Sequence, residues 1–240
     1  LSNVDPFRSE AKWLAQSLSA ARDWDIFLTK TLPAVAEACP SISGFDALAE
    51  GAEKYRSAAY RKVGVVLTGR RCAGFVLELG GWIEGRGWRS DVAPDGLGHL
   101  AGPAIDFARR ILPDHHVKVL KRGRHFKSLA VEERHRLRLA AKRLRYVCDF
   151  LLPLYGQRKF VKRFAERLAD LQEELGSFND MSTTASLLAE LEVECPGSAT
   201  AAAAITGWQA RDMVGVETRL RNAWHAFTKT KPPWSREGEA

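Results

Sequence analysis

The stretch His135–Tyr146, HRLRLAAKRLRY, decides how the rest of this 240-residue chain is interpreted. At about 100° per residue, an α-helix places four basic side chains of this stretch within one quadrant. We call them the basic stripe: His135, Arg138, Lys142 and Arg145. Leucine, alanine and cysteine side chains fill the opposite side of the helix, so one face packs while the other carries positive charge. Because like charges at helical spacing repel one another, the stripe predicts an anionic partner.

Positive charge is concentrated around this helix. Residues 115–163 contain fifteen Lys and Arg against three acidic residues, a net charge of +12, although the whole chain carries only +7. Such a local excess indicates a polyanion-binding site and not a uniformly basic surface. A turn near Ser128 would bring the preceding basic segment onto the same groove as the stripe. The further candidate binding residues are Lys118, Lys121, Arg122 and Arg124 before the stripe, Arg143 and Tyr146 beside it, and Lys162 and Arg163 after it.

Several functional classes are disfavoured by what the sequence lacks. There is no Walker or dinucleotide-binding glycine pattern and no constellation typical of a catalytic nucleophile. The four cysteines are widely spaced and form no CxxC pair, which argues against a disulfide scaffold or a zinc module. No apolar run approaches the ~20 residues that span a bilayer. We therefore expect a cytoplasmic protein that is not an enzyme, with no metal, no cofactor and no membrane partner.

The periodicity of apolar residues is helical throughout and predicts an all-α fold. Asp5-Pro6 is a typical helix start, because proline is well tolerated at the first helical position. We predict a loop over 87–102 and no strand. The predicted helices cover residues 5–39 with a bend at Pro33, 45–67, 70–83, 103–111, 116–127, 133–152, 157–192 and 198–227.

A weak internal repeat becomes visible when the sequence is shifted by 157 residues. Four landmarks of the first segment then coincide with four of the second: Phe7, Leu14, Leu18 and Arg22-Asp23 fall onto Phe164, Leu171, Leu175 and Asn179-Asp180. The repeat predicts a duplicated helical unit. We expect a single domain over 1–228, with a first repeat over about 1–113, a second over about 114–228, and a flexible tail over 229–240.

The stripe and the segments after it resemble the second repeat of a CHAD domain. The resemblance rests on the HxxRxxxKRxRY pattern of residues 135–146, on LYG at 154–156, and on LQEELG at 171–176 followed by Asn179-Asp180. The stretch ARDWDIFL at 21–28 is similar to the first repeat, so the resemblance covers residues 6–228. It implies duplicated helical bundles with pseudo-twofold symmetry around a basic cleft or pore.

The same resemblance implies a function, namely the binding of inorganic polyphosphate without catalysis. Arg22, in the stretch that matches the first repeat, becomes a further candidate binding residue on this ground. Phosphate or sulfate ions would be expected at the site in a crystal. The expected location is the cytoplasm, including polyphosphate granules.

Two alternatives stay open at this point. Nucleic-acid binding would require aromatic platforms among the basic residues, where the sequence offers Tyr146 and Phe126, so nucleic acid is the less favoured partner. The chain could also be the regulatory half of a CYTH-type triphosphatase whose catalytic domain lies upstream of Leu1. The family's first repeat opens with its own basic helix, which the repeat offset places upstream of Leu1. We therefore also expect an exposed apolar strip where that helix would pack.

Overall fold

The computed structural model describes residues 4–90, 92 and 97–235, which form helices and connecting turns without a β-strand. The all-α prediction is confirmed. None of these helices is long and apolar enough to cross a membrane. The helices are α1 (Asp5–Ile26), α2 (Leu32–Ala38), α3 (Phe45–Thr68), α4 (Arg70–Glu84), α5 (Leu97–Ala101), α6 (Ala104–Arg122), α7 (Val131–Leu151), α8 (Lys159–Glu194) and α9 (Ala199–Lys229).

The predicted long N-terminal helix continues to residue 38 but is wound more loosely before Pro33. A π-helical turn, Phe27–Thr31, joins α1 to α2, and the Leu32 N–H donates to the Phe27 carbonyl. Pro33 has no N–H for the carbonyl of the preceding turn, so a regular α-helix would lose a hydrogen bond there. The wider turn accommodates this proline, and the chain remains helical into α2.

The chain divides into two compact units. Unit 1 comprises Leu1–Ala101 and Thr183–Trp208, and unit 2 comprises Gly102–Ser182 and Gln209–Ala240. Both α8 and α9 therefore contribute one part to each unit. A division into compact units does not test the contiguous repeats expected over about 1–113 and 114–228, which stay predictions. The pseudo-twofold relation and the basic cleft or pore stay predictions.

The core of unit 1 forms around aromatic residues of the first helices. Trp24 and Phe27 are buried, and the ring of Tyr55 stacks on Trp24 with 5.0 Å between centroids. The outer side of this unit is different, because Val65 and Leu77 are each 75% exposed. Unit 1 therefore carries exposed apolar side chains on α3 and α4.

Unit 2 is built by α6, α7, the first part of α8 and the second part of α9. Its core contains fully buried side chains from all four helices: Leu112, Leu137, Leu144, Phe164 and Phe227. The structure differs here from the flexible tail predicted over 229–240. Pro233 is buried and Trp234 packs on the same core, whereas residues 236–240 lie outside the described part of the chain.

Helix α6 also corrects a prediction. We expected two helices, over 103–111 and 116–127, whereas the structure has one helix with Pro113 in its interior. Ala108, Leu112 and Val119 are fully buried along one side of α6. Burying this continuous apolar face outweighs the hydrogen bond lost at Pro113. The expected loop over 87–102 likewise contains the short helix α5, and residues 91 and 93–96 are outside the described part.

Candidate anion-binding site

The rotational setting of α7 is fixed by its apolar face. Leu137, Ala141 and Leu144 are fully buried, and Cys148 continues the same side at 3% exposure. The helix begins where the Ala130 N–H donates to the Glu133 carboxylate at 2.9 Å, which satisfies one of the free N–H groups at the helix start. With this face buried, the basic stripe must point to the other side of the helix, as the sequence predicts.

The stripe residues lie at the surface of α7. His135 and Arg145 are exposed, while Arg138 and Lys142 are half-buried. The Nδ1 atom of His135 lies 3.3 Å from the amide oxygen of Asn179, so a protonated Nδ1 can donate to it and leave Nε2 free. The Lys142 ammonium lies 5.7 Å from the centroid of the Tyr146 ring, a cation–π distance.

Several arginines of the chain pair with a carboxylate, whereas three cations of the stripe have no such partner in the part of the chain that the structure describes. Arg56 donates to Asp25 at 2.6 Å, and Arg71 donates to Glu10 at 2.7 Å. Within the described residues, no acidic side chain lies within ion-pair distance of three stripe cations: Arg138, Lys142 and Arg145. Their charge is therefore uncompensated, as an anion-binding surface requires.

The first part of the stripe borders a cavity of about 370 Å³ between the start of α7 and α8. His135 and Arg138 line it together with Leu175, Phe178 and Asn179. The wall that α8 contributes holds two apolar and two polar residues, and Glu132 of α7 also lines the cavity. The stripe thus begins at a concave surface, where a bound anion would be partly shielded from water.

A second cavity, of about 260 Å³, lies between α6 and α7, and we call it the α6–α7 groove. Its lining contains two apolar residues, Leu139 and Ala140, and no acidic residue. Burial lowers the pKa of His115, and the neighbouring charges of Lys118 and Arg143 lower it further. The basic residues of the groove are His115, Lys118, Arg122, Arg136 and Arg143.

The groove corrects one geometric expectation. We expected the basic segment before the stripe to converge with the stripe itself. Instead, Lys118 and Arg122 meet Arg136 and Arg143, which lie about a quarter-turn around α7 from the stripe. Lys121 is exposed on α6 outside this lining.

The remaining predicted residues lie apart from α7. Arg124 lines a cavity with Phe126 and Trp224, whose rings stack at 5.0 Å. Arg163 lines another cavity with Lys229 and Lys231 from the end of α9 and beyond. Lys162 is exposed on α8, and Arg22 is exposed on α1 in unit 1.

Several residues of these cavities were not among the predicted binding residues, and three of them bear on anion binding: His115, Arg136 and Asn179. Arg136 and Arg143 are seven residues apart and therefore lie on one side of α7, which is a signal that the sequence does contain. The helix break predicted near Pro113 leaves His115 outside the predicted helix that carries Lys118 and Arg122. The contact of Asn179 with His135 depends on the packing of α8 and has no local signal.

The described residues hold no group of three His, Cys, Asp or Glu side chains that could bind a metal ion. The buried thiol of Cys148 is not a nucleophile, because burial and the neighbouring Asp149 raise its pKa to about 12. The chemistry that this region offers is therefore positive charge and hydrogen-bond donors.

Comparisons with known proteins agree with the sequence resemblance. The chain matches the CHAD domain family over residues 2–189. It is also similar to the crystal structure of the CHAD domain from the plant Ricinus communis, with 29% identity and a TM-score of 0.73. That match covers 92% of this chain and 72% of the plant chain. No curated protein matches the sequence.

Proposed function

Because the chain belongs to the CHAD domain family, we propose that it binds inorganic polyphosphate along α7. The observation that carries the proposal is the row of Arg138, Lys142 and Arg145. Among the described residues these cations have no carboxylate partner, and the opposite side of their helix packs into the core. His135 extends the row and Tyr146 flanks it. Polyphosphate is the ligand that the family resemblance implies.

The geometry suits a linear polyanion. Arg138 and Arg145 are seven residues apart, which corresponds to about 10 Å along a helix axis. Arginine guanidinium groups bind phosphate oxygens in a bidentate way, and lysine acts as an adaptable point charge. Each phosphate that is neutralised also releases condensed counterions, as in nucleic-acid binding. A flexible chain of phosphates can therefore gain from every cation of the row.

Nucleic acid fits the same surface less well. Single strands are bound by stacking bases on aromatic side chains. The ring of Tyr146 faces Lys142, and Phe126 is 7% exposed with its ring stacked on Trp224. Phe126 therefore offers no platform, and of these two residues only Tyr146, which is 52% exposed, could stack on a base. One such ring favours polyphosphate over a nucleic acid bound by successive stacked bases.

The first test removes the three stripe cations. At about 1 kcal/mol for each charge-assisted contact, the variant R138Q/K142Q/R145Q should lose roughly 100-fold in affinity for long-chain polyphosphate, measured by calorimetry. A matched control, K54Q/R61Q/K62Q, removes three exposed cations of α3 and should bind like the wild type. Equal losses in both variants would contradict the site, because net charge alone would then explain the binding.

The proposal also includes the absence of catalysis and a cytoplasmic location, including polyphosphate granules. The stripe supplies cations and a single histidine but no metal-binding cluster or activated nucleophile, so it can bind phosphate without cleaving it. Incubation with polyphosphate, tripolyphosphate or ATP and Mg²⁺ should therefore release no phosphate above background. Turnover that co-purifies with the protein and is lost on substitution of its acidic residues would overturn this part.

A further inference from the structure

The α6–α7 groove is small for the amount of charge that surrounds it. Its volume of about 260 Å³ lies below the range of about 300–1,000 Å³ that is usual for pockets of drug-sized ligands. Lys118, Arg122, Arg136 and Arg143 surround this space, and none of them has a carboxylate partner among the described residues. The groove therefore fits a compact anion better than a nucleotide or a peptide.

The positive charge around the groove favours a ligand group that carries more than one negative charge. Four basic side chains surround it, and burial lowers the pKa of the half-buried His115, with the charges of Lys118 and Arg143 lowering it further. The acidic residue nearest in sequence, Asp114, opposes that effect but is not part of the lining. A single monoanion would leave most of this positive charge uncompensated.

The phosphates at the two ends of a polyphosphate chain carry more negative charge than those in its interior. An interior phosphate carries one negative charge. A terminal phosphate resembles a phosphomonoester, which has a second pKa of about 6, carries about −1.5 to −2 charges at pH 7 and has three strong acceptor oxygens. The highest charge density of the polymer is therefore at its ends.

We propose that the α6–α7 groove binds the terminal phosphate of a polyphosphate chain, while the basic stripe binds the interior. This inference rests on the proposed function. Arg136 lines both the groove and the neighbouring cavity that contains His135 and Arg138. A chain whose end lies in the groove can therefore pass Arg136 and continue onto the stripe.

The test compares a linear and a cyclic ligand. Linear tripolyphosphate has two terminal phosphates, whereas cyclic tetrametaphosphate has comparable total charge and none. Binding of each is measured by calorimetry to the wild type and to three variants that each lose three positive charges. These are the groove variant K118Q/R122Q/R143Q, the stripe variant R138Q/K142Q/R145Q and the α3 control K54Q/R61Q/K62Q.

The wild type should bind the linear ligand about tenfold or more tightly than the cyclic one, a difference of at least about 1.4 kcal/mol. The groove variant should lose this preference and the stripe variant should keep it. The three groove side chains are exposed, and circular dichroism checks that their replacement leaves the helix content unchanged.

Equal affinity for the linear and the cyclic ligand in the wild type would overturn recognition of the chain end. A preference that persists in the groove variant but is lost in the stripe variant would move the terminal site out of the groove and would equally overturn the proposal. Failure of the proposed function gives a different result, because long-chain polyphosphate would then bind the wild type and the stripe variant equally.

Discussion

Arg134 and Arg138 lie one helical turn apart on α7, and their surroundings give them different roles. Arg134 donates two hydrogen bonds to the Glu217 carboxylate, and its guanidinium lies 4.8 Å from the centroid of the Phe178 ring. This ion pair lowers the pKa of Glu217. Arg138 has no such partner in the described chain. Arg134 therefore holds α7 against its neighbours, while Arg138 is available to a ligand.

His116 shows how one buried residue makes stability depend on pH. Its ring lies 5.5 to 5.7 Å from those of Phe164, Phe227 and Trp234, and burial lowers its pKa to about 4. In the unfolded chain this histidine takes up a proton near pH 6.5, whereas the folded protein takes it up only near pH 4. The unfolded state therefore binds more protons between these values, and the free energy of unfolding falls as the pH falls.

We expect His116 alone to remove about 2 kcal/mol from the free energy of unfolding between pH 7 and pH 5. Urea unfolding of H116L at the two pH values should show a correspondingly smaller loss than the wild type. The exposed His225 provides the control, since H225Q should follow the wild-type pH dependence. The same pH dependence in H116L and the wild type would show that His116 is not the group responsible.

Helix α7 presents its cations in a single row. The salt dependence of the binding constant should show how many of these cations contact phosphate. For a single-stranded polyanion, log K falls with log salt by about 0.7 for each phosphate neutralised. The slope for R138Q/K142Q/R145Q should therefore be shallower than the wild-type slope by about 2, measured by fluorescence anisotropy over a series of NaCl concentrations.

The α3 control K54Q/R61Q/K62Q should keep the wild-type slope in the same series. A stripe variant with an unchanged slope would mean that these three cations do not touch the polymer, whatever their effect on affinity at one salt concentration.

The exposed side of α7 could be predicted from sequence, but the groove beside it could not. Leu137, Ala141 and Leu144 repeat at helical spacing, so the chain itself indicates which side of α7 is buried. The groove depends on how α6 is rotated against α7. That rotation is set by the burial of Leu112 and Val119 on either side of Pro113, a residue that locally predicts a helix break.

At the scale of the whole molecule, the all-α fold and the family could be predicted, but the assignment of helix halves to the two units could not. Leu171 and Leu175 of α8 belong to the core of unit 2, while Leu188 and Leu191 of the same helix belong to the core of unit 1. Leu171 and Leu175 share one side of α8, whereas Leu188 and Leu191 lie on roughly the opposite side. Periodicity shows that a residue is buried, but the core that buries it is decided by tertiary packing.

We propose that this protein binds polyphosphate in preference to other polyanions. The most direct measurement is a competition in which labelled long-chain polyphosphate, bound to the wild-type chain, is challenged with a charge-matched excess of duplex DNA or single-stranded RNA at physiological salt. We predict that unlabelled polyphosphate displaces the label and that neither nucleic acid does. Equal displacement by all three competitors would contradict the claim and would identify the chain as a general polyanion binder.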